Sequence, residues 1–176
     1  MIMENNYFLR ENDRYNCLEG ELYSPLFEMK IRFFAKNCDE IYAVRCAEYF
    51  ETITKDTMCE NAELSVLADG VAAYILDLIE ENDFDLGNFS FDENSPGVEI
   101  FKYLTPAALV FERFKLLDDE DCPVAFSLKM SFDPVPDEAV EIALHGDVPV
   151  YAGEYRKVDP WNDRLLKKKW NYISEE

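Results

Sequence analysis

Apolar and charged residues alternate strictly between Phe27 and Phe33. Every second residue is apolar, which is the period of a β-strand with one buried face. Pro25, two residues before this run, marks a turn at its start. The pattern therefore predicts N-terminal strand structure within residues 19–35.

Between residues 38 and 81 the apolar spacing changes to three and four residues, the period of amphipathic helices. Asn37, with a carboxylate three residues later, has the form of a capping box for a first helix that ends near Ile53. Thr54 offers the N-cap of a second helix. Gly70 inside that helix costs about 1 kcal/mol relative to alanine, which indicates close packing or a kink. We expect the two helices to form an antiparallel hairpin.

Residues 82–96 are acidic and rich in turn formers, so we expect a loop there despite its phenylalanines. Alternation returns over residues 107–155, where His145 followed by Gly and Asp has the form of a hairpin turn. This range predicts an antiparallel meander, followed by a tail over residues 156–176. Together the patterns predict one α+β domain over residues 1–176: a mainly antiparallel sheet with the helical hairpin packed on one face.

Composition supports a folded, strongly acidic protein. Of the 176 residues, 48% are hydrophobic, which is enough to bury a core. Asp and Glu number 37 against 17 Lys and Arg, so the formal net charge is −20. Nucleic-acid binding through counterion release needs the opposite sign of charge, so we expect no nucleic-acid partner.

The cysteine pattern and the hydropathy predict a cytoplasmic location. The chain has 5 cysteines without a CxxC pair, and their odd number favours reduced thiols over a disulfide framework. No basic segment followed by an apolar stretch opens the chain, and no run approaches the ~20 apolar residues of a bilayer span. We therefore expect no membrane partner.

No catalytic, cofactor-binding or metal-binding signature is present in the sequence. The single histidine, His145, lies at a predicted turn, and no local motif supports a catalytic pair with Cys122. Residues 82–93 match an EF-hand loop at Gly87 and Glu93, but apolar residues stand where side-chain ligands are needed. We expect no catalytic residue and no cofactor, while a weak divalent-cation site in this segment stays open.

The densest run of negative charge, residues 118–121, lies between two predicted strands. Such a run suits contact with a basic partner, although acidic runs are usually solvated loops. Tyrosine and tryptophan near the C-terminus are candidate aromatic anchors, or else core residues. The predicted partner contacts are Asp118, Asp119, Glu120, Asp121, Tyr151, Tyr155 and Trp161.

Several short stretches resemble a family of small acidic bacterial cytosolic domains of unknown function, some of whose relatives are regarded as toxin-immunity proteins. The resemblance covers residues 22–172 and implies a shared fold without an active site. The stretches are CAEYF at 46–50, EIFKYLTP at 99–106, YAGEY at 151–155, DPW at 159–161 and WNY at 170–172.

The leading functional hypothesis is a non-catalytic protein-binding module, an immunity-type protein that neutralises a basic toxin. Its basis is the charge of −20, the missing catalytic signature and the resemblance. A small carboxylate- or metal-dependent hydrolase is the first alternative, and it requires a pocket with convergent polar groups. A homo-oligomeric accessory protein with an exposed apolar edge strand is the second.

Overall fold

A single seven-stranded sheet organises the protein, whose computed structural model describes residues 7–173. Its strands lie side by side in chain order, and all neighbours are antiparallel except β3 and β4, which are parallel. The predicted α+β class and mainly antiparallel sheet are confirmed. The strands are β1 (Arg10–Asn12), β2 (Cys17–Ser24), β3 (Met29–Lys36), β4 (Leu104–Glu112), β5 (Ala125–Phe132), β6 (Val135–His145) and β7 (Val148–Glu154).

The helices lie between β3 and β4, because two parallel neighbours need a long crossover rather than a tight turn. α1 spans Glu40–Glu51, α2 spans Lys55–Glu60 and α3 spans Ala62–Glu81; a 3₁₀ helix over Gly97–Tyr103 then leads into β4. α3 packs on the sheet, so the helices cover one face, as predicted.

Two helix boundaries differ from the prediction. The N-cap of α1 is Asp39, whose carboxylate accepts the N–H groups of the first turn, whereas Asn37 sits in a left-handed turn at φ 57°. Thr54 does cap a helix, but that helix is the short α2. Asn61 has extended backbone and caps α3 by accepting the N–H of Leu64, which breaks the predicted second helix in two.

Aromatic rings join the helical layer to the sheet. Phe50 of α1 meets Phe126 of β5 edge to face at 5.3 Å between ring centroids, and Phe111 of β4 packs on Phe33 of β3 at 5.2 Å. At the β7 side, α3 approaches so closely that a Cβ on Gly70 would lie 2.8 Å from the Cβ of Ala152. The glycine thus marks close packing, one of its two predicted meanings.

The acidic loop over residues 82–96 contains neither helix nor strand, as expected, yet it contributes to the core. Phe91 is buried, and Phe89 packs edge to face on Phe132 at 5.5 Å. The segment is thus a loop, as predicted, that also supplies aromatic side chains to the core. Its phenylalanines anchor an otherwise polar loop, because their burial removes apolar surface from water.

The C-terminal segment crosses the opposite face of the sheet. Leu165, in a 3₁₀ helix over Asp163–Lys167, forms a second small core with Ala143, Val150 and Tyr151. The segment then reaches the free edge of β7. The half of this face over β6 and β7 is thereby covered, and the half over β3, β4 and β5 stays open.

Candidate functional site

The predicted acidic contacts lie on the loop that joins β4 to β5. Asp118, Glu120 and Asp121 are exposed, and their side chains make no hydrogen bond or ion pair with any residue of the range 7–173. Asp119 differs because it is half-buried: its Oδ1 accepts the N–H of Asp39 at 2.9 Å and faces Arg113 at 3.6 Å. The carboxylates of Asp118, Glu120 and Asp121 are therefore available to a partner, whereas Asp119 has a structural role.

Two arginines hold this loop in place by hydrogen bonds to backbone carbonyls. The Arg45 guanidinium donates to the carbonyls of Asp119 and Cys122, the latter at 2.7 Å. Arg113 donates to the carbonyls of Leu117 and, at 2.6 Å, Asn37. The Nε of Arg45 is buried without a hydrogen-bond partner, so the two carbonyl bonds must offset that desolvation. The loop is thus fixed to α1 and to the end of β3.

The tip of the loop presents an apolar side chain next to the free carboxylates. Leu116 is 83% exposed and Leu117 is 37% exposed. A rigid loop that carries an exposed leucine loses little conformational entropy when a partner covers it. We call residues 113–122 the Leu116 loop. It combines an apolar anchor, negative charge and preorganisation.

The three predicted aromatic contacts occupy different environments. Tyr151 is fully buried and donates its hydroxyl to the Glu154 carbonyl, so it is a core residue and cannot contact a partner. Tyr155 is half-buried, with the Lys129 ammonium 4.4 Å from its ring centroid. Trp161 packs on Phe114 of the Leu116 loop at 5.3 Å. Of the three, Trp161 alone packs on the loop that carries the predicted acidic contacts.

His145 is engaged in a structural contact at the same end of the sheet. Its ring stacks on Trp161 at 4.7 Å with an interplanar angle of 19°, and its Nε2 lies 2.8 Å from Oδ1 of Asp163. Cys122 is fully buried, and its Sγ accepts the N–H of Phe114 at 3.3 Å. These contacts fix the C-terminal segment and give no support to a Cys122–His145 pair.

The hydrolase alternative needs convergent acids, and three acidic residues, Glu112, Glu141 and Asp159, do line one cavity of about 200 Å³ on the open sheet face. Burial raises the pKa of both Glu112 and Glu141. However, Glu141 accepts the N–H groups of Arg156 at 2.9 Å and Val158 at 3.1 Å, one on each oxygen. Glu141 therefore serves to hold the chain after β7.

The homo-oligomer alternative needs an accessible strand edge, and β7 has its free edge covered. Ala152 donates its N–H to Oδ1 of Asn171 at 3.2 Å and accepts the N–H of Tyr172 at 2.9 Å. Asn171 also donates to the Val150 carbonyl at 2.8 Å. These bonds use the groups with which another strand would pair.

Residues 7–173 contain neither a cluster of metal-ligating side chains nor a membrane-spanning helix. No group of three or more His, Cys, Asp or Glu side chains in this range is arranged to hold a metal ion. None of the helices there combines the length and the apolar character needed to cross a membrane.

Sequence reasoning missed Leu116 and the two supporting arginines. A signal for Leu116 existed, because two leucines stand between a strand end and four acids, where the alternation has already stopped. The roles of Arg45 and Arg113 carried no local signal, since their partners lie far along the chain. Comparison with known proteins adds no relative: no family model, curated protein or solved structure matches the chain.

Proposed function

We propose that this protein is a non-catalytic binding module that engages a basic protein through the Leu116 loop, as an immunity-type protein engages its toxin. One observation carries the proposal: Leu116 is 83% exposed on a loop that two arginines hold in place. An apolar side chain held in water has a free-energy cost, and a partner that buries it recovers that cost.

Charge supports the same proposal. Asp118, Glu120 and Asp121 follow the leucine along the same loop, their carboxylates make no hydrogen bond or ion pair within residues 7–173, and the whole chain carries −20. Such a field raises the association rate with a basic partner and disfavours acidic ones. Basicity of the partner is therefore an expectation of the proposal, and so is a rate that falls as salt is added.

The test begins with a tagged protein expressed in its native cell, from which a bound partner is isolated, identified and purified. Binding of that partner is then measured for two loop variants, Leu116→Ser and the neutralised triple variant Asp118→Asn, Glu120→Gln and Asp121→Asn. We expect the first to raise the dissociation rate and the second to lower the association rate at low salt.

A matched control removes three charges elsewhere. Glu80, Glu81 and Asp83 are exposed, and their side chains make no hydrogen bond or ion pair within the described part of the chain. Their conversion to Gln, Gln and Asn leaves the same net charge as the loop variant. Equal weakening by both triple variants would indicate a general charge effect and would reject the Leu116 loop as the contact. For the immunity assignment, protection of cells from the isolated toxin is the decisive measurement.

A further inference from the structure

Two elements that border the Leu116 loop also present exposed aliphatic side chains. Ile41, in the first turn of α1, is 44% exposed, and Val148, at the start of β7, is 37% exposed. Aliphatic residues are ordinarily buried, and a group of exposed ones on neighbouring elements marks a surface for a partner. The question is therefore whether these two residues belong to the same surface as Leu116.

Hydrogen bonds of backbone N–H groups place both elements against the loop. Asp39, the N-cap of α1, donates its N–H to Oδ1 of Asp119 at 2.9 Å, so α1 begins at the loop. Gly146, in the β6–β7 turn, donates its N–H at 2.7 Å to the carbonyl of Val124, which lies just after the loop. A Cβ on Gly146 would also lie 3.3 Å from Pro123. The helix, the loop and the turn thus meet at one end of the sheet.

Acidic side chains accompany the aliphatic ones on both bordering elements. Glu40 and Asp147 directly precede the two aliphatic residues in the chain; both acids are exposed, and their side chains make no hydrogen bond or ion pair within residues 7–173. Basic residues are fewer at this end. Arg45 and Arg113 are bonded to the loop itself, and Lys115 is exposed. The apolar side chains therefore lie in a surface of net negative charge.

We propose that the partner covers all three elements, with Ile41 and Val148 as anchors in addition to Leu116, and that it meets them with an apolar patch rimmed by lysine or arginine. This inference rests on the proposed function and enlarges its contact. A specific interface takes roughly 20 to 30 residues from each side, more than residues 113–122 alone supply. Charge complementarity identifies the occupant, because the free carboxylates require cations from it. A second copy of this chain also carries −20, so repulsion disfavours it.

The experiment titrates the full chain with three short peptides and follows backbone amide NMR shifts. The first peptide combines leucines and lysines, the second has serines in place of the leucines, and the third has glutamates in place of the lysines. We expect the first to shift the amides of residues 40–41, 113–122 and 147–148 together, with an affinity about tenfold above that of the second. The third should give no saturable shift.

Each other outcome overturns a stated part. Shifts confined to residues 113–122 would overturn this inference and leave the proposed function standing, whereas no shift at residues 113–122 would overturn both. Equal affinities of the leucine and serine peptides would overturn the role of the apolar anchors. Equal affinities of the lysine and glutamate peptides would overturn the basic character of the partner.

Single variants separate the added anchors from the loop. Ile41→Thr and Val148→Thr keep a β-branched side chain and replace apolar surface by a hydroxyl, so each should weaken the leucine–lysine peptide about fivefold. Met29→Gln is the control, because Met29 is 39% exposed at the start of β3, whereas the end of β3 contacts the loop. It should leave the affinity within about twofold. Equal weakening by the control would overturn the inference. Weakening by Leu116→Ser but by neither threonine variant would reject the added anchors and retain the loop contact.

Discussion

Replacing Asn171 by alanine removes the side chain that closes the free edge of β7. Asn171 is 2% exposed although it lies in a segment without regular secondary structure. Its amide donates to the carbonyls of Val150 at 2.8 Å and Leu165 at 2.9 Å, and its Oδ1 accepts the N–H of Ala152 at 3.2 Å. The Leu165 carbonyl also accepts the N–H of Lys168 at 3.0 Å, so the substitution leaves two buried backbone groups, the Val150 carbonyl and the Ala152 N–H, without this partner.

The expected loss of stability is large for a single polar residue. Each buried polar group left unpaired costs about 1 to 3 kcal/mol. Water can reach a strand edge after the truncation, so the lower part of that range applies to each group. Summed over the two groups, we expect Asn171→Ala to lower the free energy of unfolding by about 2 to 3 kcal/mol. The opened edge should also make the variant self-associate.

Urea unfolding followed by far-ultraviolet circular dichroism measures the first effect, and sedimentation velocity at several concentrations measures the second. Asn162→Ala is the matched control, because Asn162 is exposed and caps one short 3₁₀ helix by accepting a single N–H at 3.2 Å. The control should lose about 1 kcal/mol or less and should stay in its original association state. Equal losses for the two variants would refute the reasoning about the β7 edge.

Two further predictions concern packing and pH. Gly70→Ala should destabilise the protein by up to ~2 kcal/mol in urea unfolding. The new Cβ would lie 2.7 Å from Ile173 and 2.8 Å from Ala152. Such overpacking costs about 1 to 3 kcal/mol and outweighs the helix-propensity gain of about 1 kcal/mol, so a more stable variant would contradict this packing. Hydrogen bonds from Arg32, Asn12 and Arg10 lower the pKa of Glu19 to about 2. Since the unfolded carboxyl titrates near pH ~4.3, this stabilisation is present above that pH and is lost as pH falls toward the folded pKa. Glu19→Gln should therefore flatten the acid limb of stability against pH, and an unchanged limb would contradict this assignment.

Local patterns predicted the elements whose partners are close in sequence. The hairpin turn at Gly146 was predicted because glycine readily adopts a left-handed backbone and stands between two runs of alternating residues. The turn joins β6 to β7 as expected. Thr54 was identified because an N-cap bonds to a group three residues away. Asn61 was overlooked, since the apolar period continues through it and hides the break. Periodicity reports burial more reliably than it reports helix ends.

The candidate site depended on contacts that no local pattern encodes. Glu141 alternates with apolar residues, so periodicity places it toward solvent, whereas the C-terminal segment covers it and takes both its oxygens. The acids of the Leu116 loop were predicted from their density. Leu116 was not, because an apolar residue is ordinarily expected in the core, and its exposure follows from how Arg45 and Arg113 hold the loop.

Affinity of the purified partner for the Leu116→Ser variant tests the central claim most directly. The loop backbone is held by arginine contacts that do not involve the Leu116 side chain, so the variant should keep its urea midpoint. Removal of an interface anchor costs about 2 kcal/mol or more, which predicts at least a tenfold weaker complex through faster dissociation. A folded variant that binds the partner as tightly as the unaltered chain would contradict the account.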